Sequence, residues 1–191
     1  HIYGPLFAGA DLRQVPMRHL ADPRVSDFTA DFFDSLTTAY DVGWPKPRVL
    51  VISFPHNPTG AVVDLDFMQK VVDFCREREM IVVHDFAYAD VGFEGYQPPS
   101  ILQAEGAKEC AVELYSMTKS FSMAGWRVAF MLGNPEVIAA LAKLKSYLDY
   151  GTFQPIQIAA TVAINEAPDF PAEQNAIYQV RRDTLCEGLN R

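Results

Sequence analysis

The stretch Val112-Glu113-Leu114-Tyr115-Ser116-Met117-Thr118-Lys119-Ser120-Phe121-Ser122-Met123-Ala124-Gly125-Trp126-Arg127 decides how the rest of the chain is read. Its first part, Val112–Ser116, has the composition of a strand, and polar side chains follow where that strand runs out. Three more apolar runs share this character, Arg48–Phe54, Met80–His84 and Arg127–Leu132, each bounded by Pro, Gly or polar residues. Their near-continuous apolar content predicts strands buried on both faces. Between the first two strands, Asp64 can cap a helix whose apolar set Leu65, Met68, Val71, Val72 and Cys75 recurs at three- and four-residue steps. A right-handed βαβ unit is the expected connection. Helices are also expected over Asp31–Tyr40 and over Pro135–Leu148, the second with Val137, Ile138, Leu141, Leu144 and Leu148 on one face. Gly92–Ser100 reads as a loop. Strands alternating with amphipathic segments define an α/β fold with a mostly parallel sheet.

Composition narrows the function classes. The chain has 191 residues, 49% of them hydrophobic, enough for one substantial core and, on length, one domain. Lys and Arg number 16 against 24 Asp and Glu, for a net charge of −8, and no basic cluster is long enough to grip a polyanion, so nucleic acid is not an expected partner. No apolar run approaches the roughly 18–20 residues of a membrane span, and no signal-peptide pattern opens the sequence, so a soluble, cytoplasmic protein with no membrane partner is expected. Cys75, Cys110 and Cys186 have neither disulfide-framework nor zinc spacing; buried free thiols and no metal are the expectation. The chain lacks an initiating Met, and the helical pattern of Ala172–Arg191 has no stop signal, so a piece of a longer polypeptide is expected.

Ligands of an open α/β sheet collect beyond the carboxyl ends of its strands. There stand Asn57-Pro58-Thr59-Gly60 after the first strand, Asp85 and Tyr88 after the second, and Ser116 and Lys119 after the third. Singly, each has a structural explanation: Asn-Pro-Thr-Gly is a good turn, with Asn able to close an Asx turn and Gly free to take positive φ; a carboxylate at a strand end can cap; a lone Lys is usually solvated. His84, next to Asp85, points to the other side of the strand and suits a structural role, as His56 does.

Taken in order, Asn57-Pro58-Thr59-Gly60, His84-Asp85-Phe86-Ala87-Tyr88 and Ser116–Arg127 resemble the class I/II aminotransferases of the fold-type-I pyridoxal-phosphate enzymes. The stretch from Leu144 to Pro155, with Tyr88-Ala89-Asp90 and Pro99-Ser100-Ile101, looks most like the bacterial glutamate–pyruvate (alanine) and LL-diaminopimelate aminotransferases. The resemblance implies a three-layer α/β/α sandwich, mostly parallel, with the Arg127–Leu132 strand antiparallel, and pyridoxal 5′-phosphate as cofactor. It implies Lys119 as the Schiff-base lysine and proton-transfer base, which favours a partly desolvated amine near other cations. It assigns Asp85 to the pyridine nitrogen, Tyr88 and Asn57 to the phenolic oxygen, and Ser116 and Arg127 to the phosphate. An amino acid and a 2-oxo acid are the implied substrates, alanine and glutamate the first choice. A lyase sharing the same lysine and aspartate, or an inactive cofactor-binding fragment, are the alternatives.

The resemblance lays residues 1–191 along the family's large domain, with 172–191 starting the connection to a small domain. It places the phosphate loop, the ring-stacking aromatic residue and the arginine for the substrate α-carboxylate outside these residues. Weak or absent transamination is therefore expected of the chain by itself. It also implies a homodimer, with Tyr150–Phe153 near the partner. Arg181 and Arg182 are expected on a solvated helix face.

Overall fold

The computed structural model describes residues 1–17 and 27–190, which divide into two compact units, His1–Val51 and Ile52–Arg191. In the first unit, α1 (Tyr3–Phe7) has no buried residue, whereas α2 (Phe28–Asp41) buries Phe32 and Leu36, four residues apart on one face. Asp27 starts α2, its carboxylate accepting the Ala30 amide at 3.0 Å, so the helix begins ahead of the predicted Asp31. The boundary between the units falls inside β1 (Val49–Ile52).

The second unit contains α3 (Leu65–Glu77), β2 (Ile81–Phe86), α4 (Ala107–Cys110), β3 (Ala111–Ser116), α5 (Met117–Ser120), β4 (Ala129–Gly133), α6 (Pro135–Leu148), α7 (Gln154–Glu166) and α8 (Phe170–Leu189). The strands form one mixed sheet in the order β1-β2-β3-β4. Pairing of β2 with β3 is parallel, from Val82 opposite Ala111 to Phe86 opposite Tyr115. Pairing of β3 with β4 is antiparallel, from Val112 opposite Gly133 to Ser116 opposite Ala129, as the resemblance implied. Helices flank the strands, α3 beside β2 and α6 beside β4, in keeping with the α/β expectation.

Asp64 caps α3 as predicted, accepting the Phe67 amide at 2.8 Å, and Met68, Val71, Val72 and Cys75 are fully buried. Burial of each large apolar side chain contributes about 1.5–3 kcal/mol, so this stripe is a main source of stability. Leu65 is an exception: it is 40% exposed in the first turn, and Phe67 occupies the core instead. Gly92–Ser100 is without helix or strand, as expected.

Three expectations need correction. Burial on both faces holds only for the first half of β3; β1 and β2 alternate, and β4 has no buried residue, because β1 and β4 are the outer strands of the four. The predicted α6 forms with its expected bounds, capped by Asn134, but its apolar face is not buried: Leu144 and Leu148 are 55% and 72% exposed. Cys186 is exposed, because α8 has no buried residue among those described. Helix α7, started by Pro155 in its first turn, had no counterpart among the predicted elements.

Cys75 and Cys110 are the buried free thiols expected. Burial pushes the Cys75 thiol up to about 12 and raises that of Cys110, so neither supplies thiolate at neutral pH. An aromatic disulfide reagent at pH 8 should therefore titrate Cys186 rapidly and the other two only after denaturation. Rapid reaction of all three in the native chain would contradict this packing.

Two features fix the sheet, a buried pair and a close backbone approach. His84 and Glu113 lie opposite each other on β2 and β3, both inaccessible, with His84 Nδ1 3.2 Å from Glu113 Oε2 and Nε2 3.1 Å from the Phe54 carbonyl. Glu113 also accepts from Ser100 Oγ at 2.9 Å and from the Ile101 amide at 3.0 Å. His84 is thus structural, as its alternation from Asp85 predicted. Gly133, with φ of 122°, lets the backbone of β3 come close: a Cβ there would stand 2.3 Å from the Ala111 carbonyl oxygen.

Candidate active site

The carboxyl ends of β2 and β3 lie side by side, because Phe86 is opposite Tyr115 in the parallel ladder. Asp85 therefore comes next to the strand that ends in Ser116. Asp85 is half-buried, and its Oδ1 accepts the Ala87 amide at 3.3 Å, turning the chain out of the strand. The turn continues through Ala89 N–H to the Phe86 carbonyl and Val91 N–H to the Tyr88 carbonyl, at 3.1 and 3.0 Å. These bonds bring the Tyr88 ring over Lys119, with Nζ 5.7 Å from the ring centroid. Lys119 is exposed, where a partly desolvated amine was the expectation.

Lys119 lies on α5, which begins directly at the end of β3. Ser116 is its cap, the Oγ accepting the Thr118 amide at 3.2 Å. From there the chain makes an excursion and returns antiparallel: Met117 N–H bonds the Val128 carbonyl at 3.3 Å, and Ala129 stands opposite Ser116. Arg127 is thereby brought back to the strand end that carries Ser116. Its φ and ψ, 52° and 50°, are left-handed, a conformation costing a non-glycine residue about 1–2 kcal/mol, and Ser122 has φ of 53°. Arg127 Nη1 donates to the Ala124 carbonyl at 3.0 Å, and the guanidinium is otherwise turned to the exposed side.

Asn57 is exposed in a turn closed by Gly60 N–H to the His56 carbonyl at 2.8 Å, with Gly60 at φ of 70°. His56 Nδ1 and Thr59 Oγ1 are 2.7 Å apart and hold the turn. Burial lowers the His56 pKa.

Two adjoining hollows gather part of this set. One, of about 410 Å³, is lined by Tyr88, Lys119, Thr118, Ser122 and Tyr178; the other, of about 460 Å³, by Asn57, Gly60, Tyr96 and Arg182. Tyr88 and Val91 line both, so Tyr88 stands between the amide and the amine. Asp85, Ser116 and Arg127 line neither; they are brought near by strand topology. A larger recess of about 650 Å³ opens at the other end of the sheet, where β2 and β3 start, lined by Asp73, Arg76, Glu79 and Cys110. It is far from the convergent polar ends and carries no comparable donor set.

Tyr178, Thr118 and Ser122 were not among the predicted site residues. Thr118 and Ser122 flank Lys119 in sequence and were in plain view, whereas Tyr178 comes from α8 and required the tertiary fold. Arg182, expected on a solvated face, is partly exposed there, donates to Glu94 Oε1 at 2.7 Å and lies 5.0 Å from the Phe93 ring centroid.

The chain is similar to proteins already known. Residues 3–191 match the family described as aminotransferase class I and II. Glutamate-pyruvate aminotransferase AlaC of Escherichia coli K12 is 43% identical over 190 residues, all of this chain and 44% of that protein. An LL-diaminopimelate aminotransferase of Moorella thermoacetica is 45% identical over 145 residues, covering 76% of this chain and 37% of that one. Among solved structures, substrate-bound BacF from Bacillus subtilis superposes with a TM-score of 0.81 at 33% identity, covering 97% of this chain and 45% of that one. A Thermus thermophilus aspartate aminotransferase mutant gives 0.74 at 28%, covering 82% and 40%. The chain thus spans less than half the length of these relatives. It belongs to the class I and II aminotransferase family.

Proposed function

We propose that the chain is the cofactor-binding core of a pyridoxal-phosphate-dependent aminotransferase, moving an amino group between an alanine- or glutamate-like amino acid and a 2-oxo acid. The observation that carries this reading is the amine of Lys119 facing the Tyr88 ring beside a hollow, at strand ends that also carry Asp85 and Ser116. The donor set fits the cofactor: an amine for its aldehyde, a carboxylate for its ring nitrogen, a phenol and an amide for its phenolic oxygen, a hydroxyl and a guanidinium for its phosphate. The hollows also fall within the roughly 300–1,000 Å³ of small-molecule sites.

When bound, the cofactor supplies an electron sink for the pair left on the substrate Cα. The chain's own residues do the rest. Lys119 Nζ would hold the cofactor through its aldehyde and would serve as the base for the substrate Cα proton, a role that needs the neutral amine. Asp85 keeps a proton on the ring nitrogen, since an adjacent carboxylate favours the cation. Tyr88 and Asn57 donate to the phenolic oxygen from the two hollows they line. Ser116 Oγ and Arg127 would hold the phosphate, a hydroxyl and a guanidinium suiting a dianion.

Residues 1–191 are proposed as the large domain of a cytoplasmic homodimer. No helix of the described residues is long and apolar enough to cross a membrane. Tyr147, Leu148, Tyr150 and Phe153, from 70% to 93% exposed, are the proposed face toward a second copy. A second reading, transfer from LL-diaminopimelate, is favoured by relatives of that name at 37–45% identity.

The test is single turnover. With pyridoxal phosphate added, L-alanine or L-glutamate at high concentration should discharge the long-wavelength band slowly, in keeping with the weak transamination expected of these residues alone, with one equivalent of oxo acid released, and D-alanine should not. Faster discharge by LL-diaminopimelate would select the second reading. A band indifferent to every amino acid would refute transamination by this chain.

A further inference from the structure

Asp90 lies two residues beyond Tyr88 and has no part in the chemistry assigned above, yet it is held from two sides. Tyr115 Oη, on β3 next to Ser116, donates to Asp90 Oδ2 at 2.5 Å. Asn175 Nδ2, on α8, donates to the Asp90 carbonyl at 2.5 Å. The Tyr115 ring is itself fixed, stacked on Phe130 of β4 with centroids 4.9 Å apart. Burial and then the Asp90 hydrogen bond raise the Tyr115 pKa, so the hydroxyl keeps its proton and remains a donor. Between Asp90 and Tyr88 there is one residue, and the Val91 amide bonds back to the Tyr88 carbonyl at 3.0 Å. A displacement of Asp90 therefore carries Tyr88 with it.

We propose that Asp90, clamped between Tyr115 and Asn175, is a positioning residue that sets the Tyr88 ring against Lys119. The clamp joins β3, the turn after β2, and α8; the turn and α8 line the hollow through Tyr88 and Tyr178, together with Lys119 of α5, the helix that follows β3 directly. A charge-assisted bond from a phenol to a carboxylate is stronger than the neutral bonds of an ordinary turn, which suits a part whose task is to hold a ring still. The consequence for the cofactor rests on the function proposed above; the positioning itself does not.

The test uses the full chain with Asp90→Ala, Asp90→Asn, Tyr115→Phe and Tyr88→Phe. Asp90→Asn keeps an acceptor for Tyr115, and Tyr115→Phe keeps the stacked ring while removing the donor. In the cofactor-free chain with 13C-labelled tyrosine, the Tyr88 resonance, identified by its loss in Tyr88→Phe, should move in Asp90→Ala and Tyr115→Phe and stay in place in Asp90→Asn. With pyridoxal phosphate, the pH midpoint of the lysine-dependent band should rise in Asp90→Ala and Tyr115→Phe toward that of Tyr88→Phe, by about one pH unit, the scale of one lost hydrogen bond. The double variant Tyr88→Phe/Asp90→Ala should show no further rise. An unmoved Tyr88 resonance in both clamp variants, or additive midpoint shifts, would overturn the proposal. A moved resonance in a chain that forms no band would uphold the clamp and count against the cofactor reading alone.

Discussion

Lys119→Ala is expected to abolish the long-wavelength absorbance that pyridoxal phosphate gives with the parent chain, and with it the adduct that survives borohydride. Only an amine adds to the cofactor's aldehyde and can be locked there by reduction. Of the groups lining the hollow, Lys119 Nζ is the amine, facing Tyr88 at 5.7 Å. Any residual amino transfer should fall by at least the roughly 10²–10⁴-fold that a positioned acid–base group provides. Lys143→Ala, on the exposed side of α6, is the control and should leave both signals intact. Peptide mapping of the reduced adduct locates the label. A label on another lysine, or a band of unchanged intensity in Lys119→Ala, would remove this residue from the chemistry and the proposed function with it.

Glu113→Ala is expected to cost about 3–5 kcal/mol, because it strands several buried polar groups at about 1–3 kcal/mol each. The loss is large because one carboxylate holds three groups from two parts of the chain: His84 on β2, and Ser100 Oγ with the neighbouring Ile101 amide. His84 Nδ1 faces Glu113 and Nε2 faces the Phe54 carbonyl, so truncation of Glu113 leaves a buried ring nitrogen without its partner. For a chain of this size the melting temperature should fall by roughly 10 °C, at about 2–4 °C per kcal/mol. Ser100→Ala removes one of the three groups and should cost much less. A fall under 2 °C for Glu113→Ala in a thermal denaturation followed by circular dichroism would show that the cluster contributes little.

The strands were legible because apolar runs with polar ends have a short-range cause, and the polar residues beyond them marked the site for the same reason. Helices with clear caps were equally plain: Asp64 and Pro135 set the starts of α3 and α6 locally. Which apolar faces are covered could not be read, since the stripe of α6 has the same periodicity as that of α3, yet Leu148 is exposed and Val71 is not. Tertiary context decides that difference, and periodicity carries none of it. At the site, Lys119 and its sequence neighbours were accessible from one stretch. Tyr178, Asn175 and Asp90 were not singled out, because their relation to Lys119 depends on α8 lying across the turn after β2. Glu113 was hidden for a related reason: a carboxylate inside an apolar strand has meaning only once its opposite number, His84, is known.

The close approach at Gly133 has a bearing on the far end of the same ladder. In an antiparallel pair, a slip of one residue turns every side chain of the slipped strand to the opposite face and displaces each rung. Were β4 to slip by one, Leu132 or Asn134 would bring a side chain to the place where a Cβ meets the Ala111 oxygen at 2.3 Å. That collision rules out the neighbouring alignments and leaves the one in which Ser116 faces Ala129, with Arg127 arriving beside it. A residue with no side chain, in neither hollow, thus acts as the zero mark from which the pair proposed for the phosphate is measured.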